Sequence, residues 1–240
     1  INAISALCEK TGADINEVTN AVGKDERIGE KFLKSGPGFG GSCFKKDILN
    51  LVYLCNYFNL PEVAEYWLNV VNLNNWQQKR ISRLIIQKLF GTITEKKIAI
   101  LGFSYKANTN DTRESPAIQI CKDLIDEGAK LAIHDPRVSQ KNIELELGIK
   151  SKNIDEINST VKTKNSTQEI YFYWCKNINE TIYGADAVVI LTEWDEYINL
   201  DTDLFNKNMR KPAWIFDCRD VLNNSQFGKN SINYWRVGKG

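Results

Sequence analysis

Cys43 is the strongest candidate for a chemical role in this chain, because it stands between a glycine-rich loop and a predicted helix. The apolar residues that follow have the i, i+3, i+4, i+7 spacing of one helix face, and they are Ile48, Leu51, Val52 and Cys55. A helix N-terminus favours the thiolate form of a cysteine, which is the nucleophilic form. The spacing therefore predicts a thiolate nucleophile at Cys43. A buried cysteine in a tight turn is the alternative.

The neighbours of Cys43 suit the same chemistry. Lys45 and Lys46 place positive charge beside the thiol, and Asp47 lies one helical turn after it. Asp47 could assist proton transfer or favour the helix dipole as a first-turn acid, and both roles can hold together. Backbone amides could approach a ligand closely at the glycines of the loop, which are Gly36, Gly38, Gly40 and Gly41.

Helical segments are predicted on both sides of this loop. Periodicity and capping signals place them at residues 1–10, 14–22, 45–58 and 61–91. Asp14 and Glu17 form a capping box, and Pro61 suits a first helical turn. A loop as long as 24–42 more often binds something than merely connects two elements. We expect the last and longest helix to connect two parts of the chain or to build a dimer interface.

From Lys97 onward the pattern changes to alternating strands and helices. A helix is predicted over 118–127, an exposed excursion over 143–166, and strands at 98–101, 131–134, 170–174, 187–191 and 214–216. Strands separated by helices pair in parallel, so the predicted fold class is α/β with a doubly wound sheet. Ligands of such sheets bind beyond the carboxyl ends of the strands, here residues 103–113, 192–197 and 217–220.

The first βαβ unit of this sheet lacks the usual signature of an NAD site. Asp135 follows the second strand, where a ribose-binding acid would stand. Residues 102–106, however, read Gly-Phe-Ser-Tyr-Lys, with no G-x-G-x-x-G pattern. A dinucleotide pyrophosphate is therefore not expected at this turn, and Asp135 with Pro136 is interpreted as a plain turn.

Composition narrows the possible functions. The chain has 31 basic and 30 acidic residues, so its net charge of +1 provides no field to attract nucleic acid or an anionic membrane. No apolar stretch reaches the length of a membrane span, and the 6 cysteines include no CxxC pair. We expect a cytoplasmic protein with free thiols. His134 is the single histidine and lies in a predicted strand, so no histidine-rich metal site is expected.

Several motifs occur in register along nearly the whole chain. They are Asp-Glu-Arg-Ile-Gly at 25–29, the segment 32–47, Phe-Ser-Tyr-Lys at 103–106, Asp-Thr-Arg-Glu-Ser at 111–115 and Phe-Asp-Cys-Arg at 216–219. Their sequence and order resemble the UDP-glucose 6-dehydrogenases of the UDP-glucose/GDP-mannose dehydrogenase family. Several motifs in register are far more specific than any one of them.

The resemblance implies covalent catalysis. Cys43 would attack the aldehyde formed by a first oxidation of UDP-glucose, and the thiohemiacetal would be oxidised to a thioester. Water would then release UDP-glucuronate, with Asp47 assisting proton transfer and Lys46 beside it as a further catalytic residue. NAD is the implied cofactor, and two NAD molecules are consumed for each sugar.

The resemblance also implies which residues contact the ligands. Arg27 would reach across a dimer into the neighbouring active site, and Tyr105, Lys106 and Arg219 would contact the UDP-sugar beyond the sheet. The implied substrate loop consists of Phe32, Leu33, Lys34, Ser35, Gly36, Pro37, Gly38, Phe39 and Gly40. The implied cofactor contacts are Cys43, Phe44, Lys45, Lys46 and Arg113.

Two domains are implied by the same resemblance. Residues 1–92 would form a central helical dimerisation segment with the cysteine loop and a long connecting helix, and residues 93–240 a Rossmann-like UDP-binding domain. The implied partners are UDP-glucose and a second copy of the chain, in a homodimer or a higher homo-oligomer.

The resemblance further predicts an N-terminal NAD-binding domain ahead of residue 1, so the chain is expected to be a C-terminal portion that is inactive alone. Three alternatives remain. The chain could belong to a GDP-mannose or UDP-N-acetylhexosamine dehydrogenase, to a non-catalytic nucleotide-sugar-binding module, or to a structural dimerisation fragment.

Overall fold

The computed structural model describes residues 1–153, 170–222 and 232–240. Its helices are α1 (Asn2–Thr11), α2 (Ile15–Gly23), α3 (Phe44–Tyr57), α4 (Pro61–Lys88), α5 (Pro116–Asp126), α6 (Gln140–Leu147), α7 (Ile178–Ile182), α8 (Asp195–Ile198) and α9 (Thr202–Asn208). Its strands are β1 (Lys97–Leu101), β2 (Lys130–His134), β3 (Lys150–Asn153), β4 (Tyr171–Trp174), β5 (Ala187–Ile190), β6 (Ala213–Asp217) and β7 (Ile232–Arg236). Within these ranges no helix is both long and apolar enough to span a bilayer.

The first four helices lie where the sequence predicts them, within a few residues. The Asp14 side chain caps α2 by accepting a hydrogen bond from the Asn16 N–H at 3.0 Å, as expected from its position. Pro61 opens α4, which ends at Lys88, three residues before the predicted end. It ends there because Phe90 and Gly91 both have positive φ, which is incompatible with a right-handed helix.

The strands form one seven-stranded parallel sheet in the order β3-β4-β2-β1-β5-β6-β7. The parallel α/β fold predicted from the alternating pattern is therefore confirmed. Strand β7, however, was not predicted. Its sequence Ile-Asn-Tyr-Trp-Arg lacks a clear apolar alternation, and it is held by pairing with β6 at the sheet edge.

The predicted exposed excursion over 143–166 is wrong for its first part. Helix α6 buries Ile143 and Leu147, which are one turn apart and pack on the sheet. Strand β3 then adds to the sheet edge by pairing with β4. An edge strand pairs on one side only, so polar residues such as Lys150 and Lys152 are tolerated there. The remainder of this prediction lies outside the described residues.

Apolar side chains pack on both faces of the sheet. On one face α5 and α6 are joined by the C-terminal half of α4, which contributes fully buried Ile81 and Ile85. On the other face lie α7, α8 and α9, with fully buried Tyr197 and Phe205. The C-terminal half of α4 thus packs in the core of the sheet domain, whereas its N-terminal half is part of the helical segment. The boundary between residues 92 and 93 stays a prediction.

The last residues of the chain return to the first helices. The backbone N–H of Ile15 donates to the Gly238 carbonyl at 2.8 Å, and Arg236 pairs with both Asp14 and Asp220. The Gly238 N–H donates to the Glu9 carboxylate at 2.9 Å. These contacts fasten α1 and α2 to the edge of the sheet. They set the position of the loop that follows α2.

Candidate active site

Cys43 occupies the N-cap position of α3 and is exposed to solvent. Its backbone carbonyl accepts from the Asp47 N–H at 2.8 Å, and its Sγ lies 3.6 Å from the Ser42 hydroxyl. The predicted position at a helix start is therefore confirmed, and the alternative of a buried cysteine is wrong. Lys46 and Asp47 are exposed on the same first turn.

The other five cysteines are free and buried. Burial raises the pKa of the Cys175 thiol to about 11, and it raises the pKa values of Cys121 and Cys218 even further. Buried thiols of this kind are poor nucleophiles. Cys43 is the one cysteine of the six that combines a helix N-terminus with exposure.

The loop before Cys43 packs directly on the turn after β1. The Gly41 N–H donates to the Arg113 carbonyl at 2.8 Å. A Cβ atom at Gly40 would lie only 2.5 Å from the Glu114 carbonyl oxygen, so a side chain is excluded there. The ammonium group of Lys45 binds the Glu114 carboxylate at 2.7 Å. The structure thus brings the cysteine loop and the 103–115 segment together, as the sequence motifs imply.

Tyr105 and Arg219 meet on the other side of the same loop. Arg219 donates from Nε to the Leu191 carbonyl at 2.9 Å and from Nη2 to the Tyr105 carbonyl at 3.0 Å. Its side chain is 16% exposed, and burial lowers its pKa while Glu193 at 3.2 Å opposes the change. Arg219 therefore joins two loops at the carboxyl edge of the sheet, beside Gly36. Its role as a substrate contact stays a prediction.

Arg113 and Arg27 are held in the same way by an aspartate two residues before them. Each guanidinium makes a bidentate pair, Arg113 with Asp111 and Arg27 with Asp25. These hydrogen bonds raise the pKa of each arginine, and the nearby Cys43 adds to the effect at Arg113. The structure therefore places Arg113 beside the cysteine, whereas Arg27 lies on the surface with 88% of its side chain exposed.

The first part of the predicted substrate loop is open to solvent. Phe32 is 91% exposed with a positive φ, and its ring meets that of Phe44 edge-on at 6.4 Å. Lys34 is also exposed, while Leu33 and Ser35 are partly buried. Lys106 is exposed with its ammonium 5.4 Å from the Tyr105 ring. These residues present apolar and cationic groups around the loop.

Asp135 and Asp217 face protein donors at the ends of β2 and β6. Asp135 accepts from the backbone N–H groups of Arg137 and Val138, both at 2.9 Å, which makes the turn that the sequence predicts. Its second oxygen accepts from the loops after β1 and β5, through Phe103 N, Ser104 N, Ser104 Oγ and Trp194 Nε1. Asp135 therefore links three loops, which follow β1, β2 and β5.

Three buried amide side chains near the loop escape the sequence analysis. They are Asn74, Gln77 and Gln78 of α4, at most 9% exposed. Asn74 and Gln77 hydrogen-bond the backbone of Phe39 and Gly36, respectively. The signal was present, because Asn74 and Gln78 interrupt the apolar stripe of Val71, Ile81 and Ile85 at helical spacing.

The turn after β1 is closed to a dinucleotide pyrophosphate. Gly102 has a φ of 92°, and Thr192 of the neighbouring loop fills the space that its missing side chain leaves. The implied cofactor contacts Arg113 and Lys45 lie instead near the cysteine loop, and each is paired with a carboxylate, that of Asp111 and of Glu114, respectively. In the described part of the chain, no cluster of His, Cys, Asp and Glu side chains is suited to a metal ion.

The chain is similar in sequence to curated proteins from animals and plants. UDP-glucose 6-dehydrogenase of Gallus gallus is 53% identical over 222 residues, which are 92% of this chain and 43% of that protein. UDP-glucose 6-dehydrogenase 4 of Arabidopsis thaliana is 44% identical over 240 residues, which are 100% of this chain and 50% of that protein. The chain thus spans about half the length of these relatives.

Solved structures share the fold. A UDP-glucose dehydrogenase from Pyrobaculum islandicum superposes with a TM-score of 0.75 at 24% identity, covering 100% of this chain and 47% of that one. A UDP-D-ManNAc dehydrogenase from Pyrococcus horikoshii gives 0.68 at 23% identity, with 100% and 47% coverage.

Family profiles account for most of the sequence. Residues 1–76 match the central domain, and residues 99–224 match the UDP-binding domain, of one family. The second match alone covers more than half of the chain. The motifs around Cys43 and beyond β1 and β6 lie within these matches, so the chain belongs to the UDP-glucose/GDP-mannose dehydrogenase family.

Proposed function

We propose that this chain is the cysteine-bearing and UDP-binding portion of an NAD-dependent UDP-glucose 6-dehydrogenase, which converts UDP-glucose to UDP-glucuronate. The exposed Cys43 at the start of α3 carries the proposal, because its loop packs on the segment that holds Tyr105 and Arg113. The relatives named UDP-glucose 6-dehydrogenase support the choice of sugar.

The proposed chemistry forms and breaks one carbon–sulfur bond. The primary alcohol of the sugar first loses a hydride and a proton and becomes an aldehyde. The Cys43 thiolate then attacks the aldehyde carbon, and the carbonyl oxygen takes a proton to give a thiohemiacetal. Hydride and the hydroxyl proton then leave that centre, which becomes a thioester. Water adds to the thioester carbon, the carbon–sulfur bond breaks, and the thiolate is restored as the carboxylate product forms. NAD, when bound, supplies the hydride acceptor for both oxidations.

The residues around Cys43 have separate tasks in this scheme. Asp47, exposed on the same helical turn, accepts a proton from the attacking water, and Lys46 beside it adds positive charge. Lys34, Lys106 and Arg219 lie around the loop and neutralise the diphosphate of the substrate. Phe44, Lys45 and Arg113 would help to hold NAD beside Cys43. The chain's turn after β1 is closed, so the rest of NAD would need another site, which the resemblance assigns to an N-terminal domain.

The proposed assembly is a homodimer or a higher homo-oligomer in the cytoplasm. Many large apolar side chains of the helical segment are exposed in the single chain, among them Leu7, Tyr53, Tyr57, Phe58 and Tyr66. An exposed apolar surface of this kind suits association. Six free thiols suit a reducing compartment. Arg27 would serve the neighbouring subunit's site in this assembly.

Selective alkylation of the intact chain tests the proposed site. Iodoacetamide should modify Cys43 before the five buried cysteines, and UDP-glucose should slow this reaction more than GDP-mannose does. Peptide mass spectrometry locates the modification, and Cys43→Ser serves as the control that removes it. Equal reaction rates with and without UDP-glucose, together with no heat of binding in calorimetry, would overturn the proposal.

Two turnover assays complete the test. The chain alone should produce no NADH with UDP-glucose and NAD, and robust absorbance at the NADH band would refute the view that it is an inactive portion. In the full-length protein, Cys43→Ser should abolish UDP-glucuronate formation. Unchanged product formation would exclude the covalent mechanism.

A further inference from the structure

Asn74 binds both backbone polar groups of one loop residue. Its Oδ1 accepts from the Phe39 N–H at 2.8 Å, and its Nδ2 donates to the Phe39 carbonyl at 3.1 Å. A neighbouring β-strand would satisfy a residue in the same way, but here a helix side chain does so. Asn74 is 7% exposed in the middle of α4, so the pairing takes place largely away from water.

Two further amide side chains hold the start of the loop. The Gln77 Nε2 donates to the Gly36 carbonyl at 2.8 Å, and the Asn2 Oδ1 accepts from the Gly36 N–H at 2.9 Å. Gln77 is fully buried and is itself oriented by Arg80, whose Nε donates to the Gln77 Oε1 at 3.1 Å. Three amide side chains therefore satisfy four backbone groups of the loop.

The loop packs so closely on α4 that position 38 has no room for a side chain. Gly38 has a φ of 131°, and a Cβ atom built on it would lie 2.8 Å from the Asn74 Oδ1 and 3.3 Å from Gln78. Removing the Asn74 amide would leave the Phe39 N–H and carbonyl without partners in this buried contact. Such groups strongly disfavour the conformation that buries them.

The position of Phe39 is coupled to that of Cys43, four residues later. The Phe39 ring packs edge-on against Phe44 at 4.7 Å between centroids. Between them, Gly41 is fixed to the Arg113 carbonyl. A shift of the backbone at Phe39 would therefore move a ring that packs on Phe44, the residue that follows the thiol.

We propose that Asn74 is a positioning residue that, with Gln77 and Asn2, holds the 36–40 backbone in the shape that binds a sugar nucleotide beside Cys43. This inference rests on the proposed function and deepens it, because it names the side chains that preorganise the loop. Asn74 contacts no reacting atom. It acts through the backbone of Phe39.

A matched pair of variants tests the inference on the intact chain. Asn74→Ala removes the amide, whereas Asn75→Ala changes an exposed neighbour on the same helix. Losing two hydrogen bonds to the loop should weaken UDP-glucose binding about tenfold in calorimetry, while the control stays within about twofold. UDP-glucose at a fixed concentration should also lose its ability to protect Cys43 from iodoacetamide in Asn74→Ala.

The outcomes separate the two levels of the proposal. If the unsubstituted chain neither binds UDP-glucose nor is protected by it, the proposed function fails. If it does bind and Asn74→Ala binds equally well, the positioning role is overturned. A lower melting temperature with unchanged affinity would show a purely structural role and also overturn it.

A second variant decides the matter if Asn74→Ala does not fold. Asn74→Asp has the same shape and keeps the acceptor for the Phe39 N–H, but it places an oxygen against the Phe39 carbonyl. Its affinity for UDP-glucose should fall at least about threefold. Wild-type affinity in this variant would overturn the inference.

Discussion

The sequence Asp-x-Arg occurs in two regions of this molecule and is used differently in each. Two examples lie in surface loops, Asp25 with Arg27 and Asp111 with Arg113. The other two lie at the carboxyl ends of buried strands, Asp135 with Arg137 after β2 and Asp217 with Arg219 at the end of β6. In all four, the aspartate Oδ1 accepts from the arginine backbone N–H at 2.9–3.1 Å. The local turn is therefore the same in every case.

The difference lies in the second carboxylate oxygen. In the surface loops it binds the guanidinium of its own arginine, and the pair remains exposed to solvent. At the ends of β2 and β6 the aspartates are at most 6% exposed, and that oxygen accepts from other protein groups instead. In Asp135 it accepts from the Phe103 and Ser104 N–H groups of the loop after β1. In Asp217 it accepts from the Val221 and Leu222 N–H groups of the turn that follows and from the Tyr234 hydroxyl of β7. The arginine is then released to other partners, as Arg219 is to Leu191 and Tyr105. Burial, which the tripeptide does not encode, decides between a surface ion pair and a loop anchor.

The largest effect is expected at Asp135. Asp135→Ala leaves the Phe103 and Ser104 N–H groups and the Trp194 indole N–H buried without an acceptor. We expect the free energy of unfolding to fall by about 3–4 kcal/mol and the melting temperature by roughly 10 °C. Urea and thermal unfolding measure both.

Asp126→Ala is the control for this prediction, since Asp126 is exposed at the end of α5. Its effect should stay within about 0.5 kcal/mol. If Asp135→Ala cost as little as this control, the aspartates at the ends of β2 and β6 would not be the anchors described above.

A smaller contrast is expected between Arg219 and Arg113. A lysine cannot reproduce the two directed hydrogen bonds of a guanidinium. Arg219→Lys should lower the free energy of unfolding by about 1–2 kcal/mol, because it leaves a buried carbonyl unpaired. Arg113→Lys should lower it by clearly less than Arg219→Lys does, because that ion pair is at the surface and is screened by solvent. Equal losses in urea titrations would remove the distinction between the two regions.

The smallest effect is expected on the loss of stability at acidic pH. Hydrogen bonds from Arg113 hold the pKa of Asp111 below its ordinary value, although partial burial opposes them. A lowered pKa in the folded state stabilises the protein above the ordinary value of about 4, and this stability is lost as pH falls through the folded-state pKa. Asp111→Asn should therefore lose less stability than the wild type between neutral pH and about pH 3, by roughly 0.5 kcal/mol.

Two comparisons sharpen the acid prediction. Arg113→Ala should reduce the acid dependence in the same way, and an unchanged profile in that variant would rule out the pair as its source. The contribution of Asp217 to stability should depend on pH in the opposite direction. Burial raises the pKa of Asp217, despite hydrogen bonds from Leu222, Val221 and Arg219. Its contribution is present at low pH and decreases as pH rises through the folded-state pKa.

Long and strongly patterned elements were predictable from the sequence. Helices α3 and α4, strands β1 and β2, and the Asp14 cap follow from local signals that involve neighbours within one or two turns. Short elements such as α6, β3 and β7 were missed or misassigned. Four to eight residues hold too few local interactions to specify a structure, so their pairing with the sheet and their few buried side chains decide it.

The sequence by itself determined that a cysteine would stand at the start of a helix after a glycine-rich loop, because periodicity, capping and glycine content are local properties. Only the tertiary structure decided that Asn74, Gln77 and Asn2 hold that loop. It also decided that Asp135 binds donors of the loops after β1 and β5, and that Asp217 binds the Tyr234 hydroxyl of β7 rather than its own guanidinium. Those choices depend on which groups lose water on folding and which donors then lie within reach. Both are set by contacts between residues that are distant along the chain.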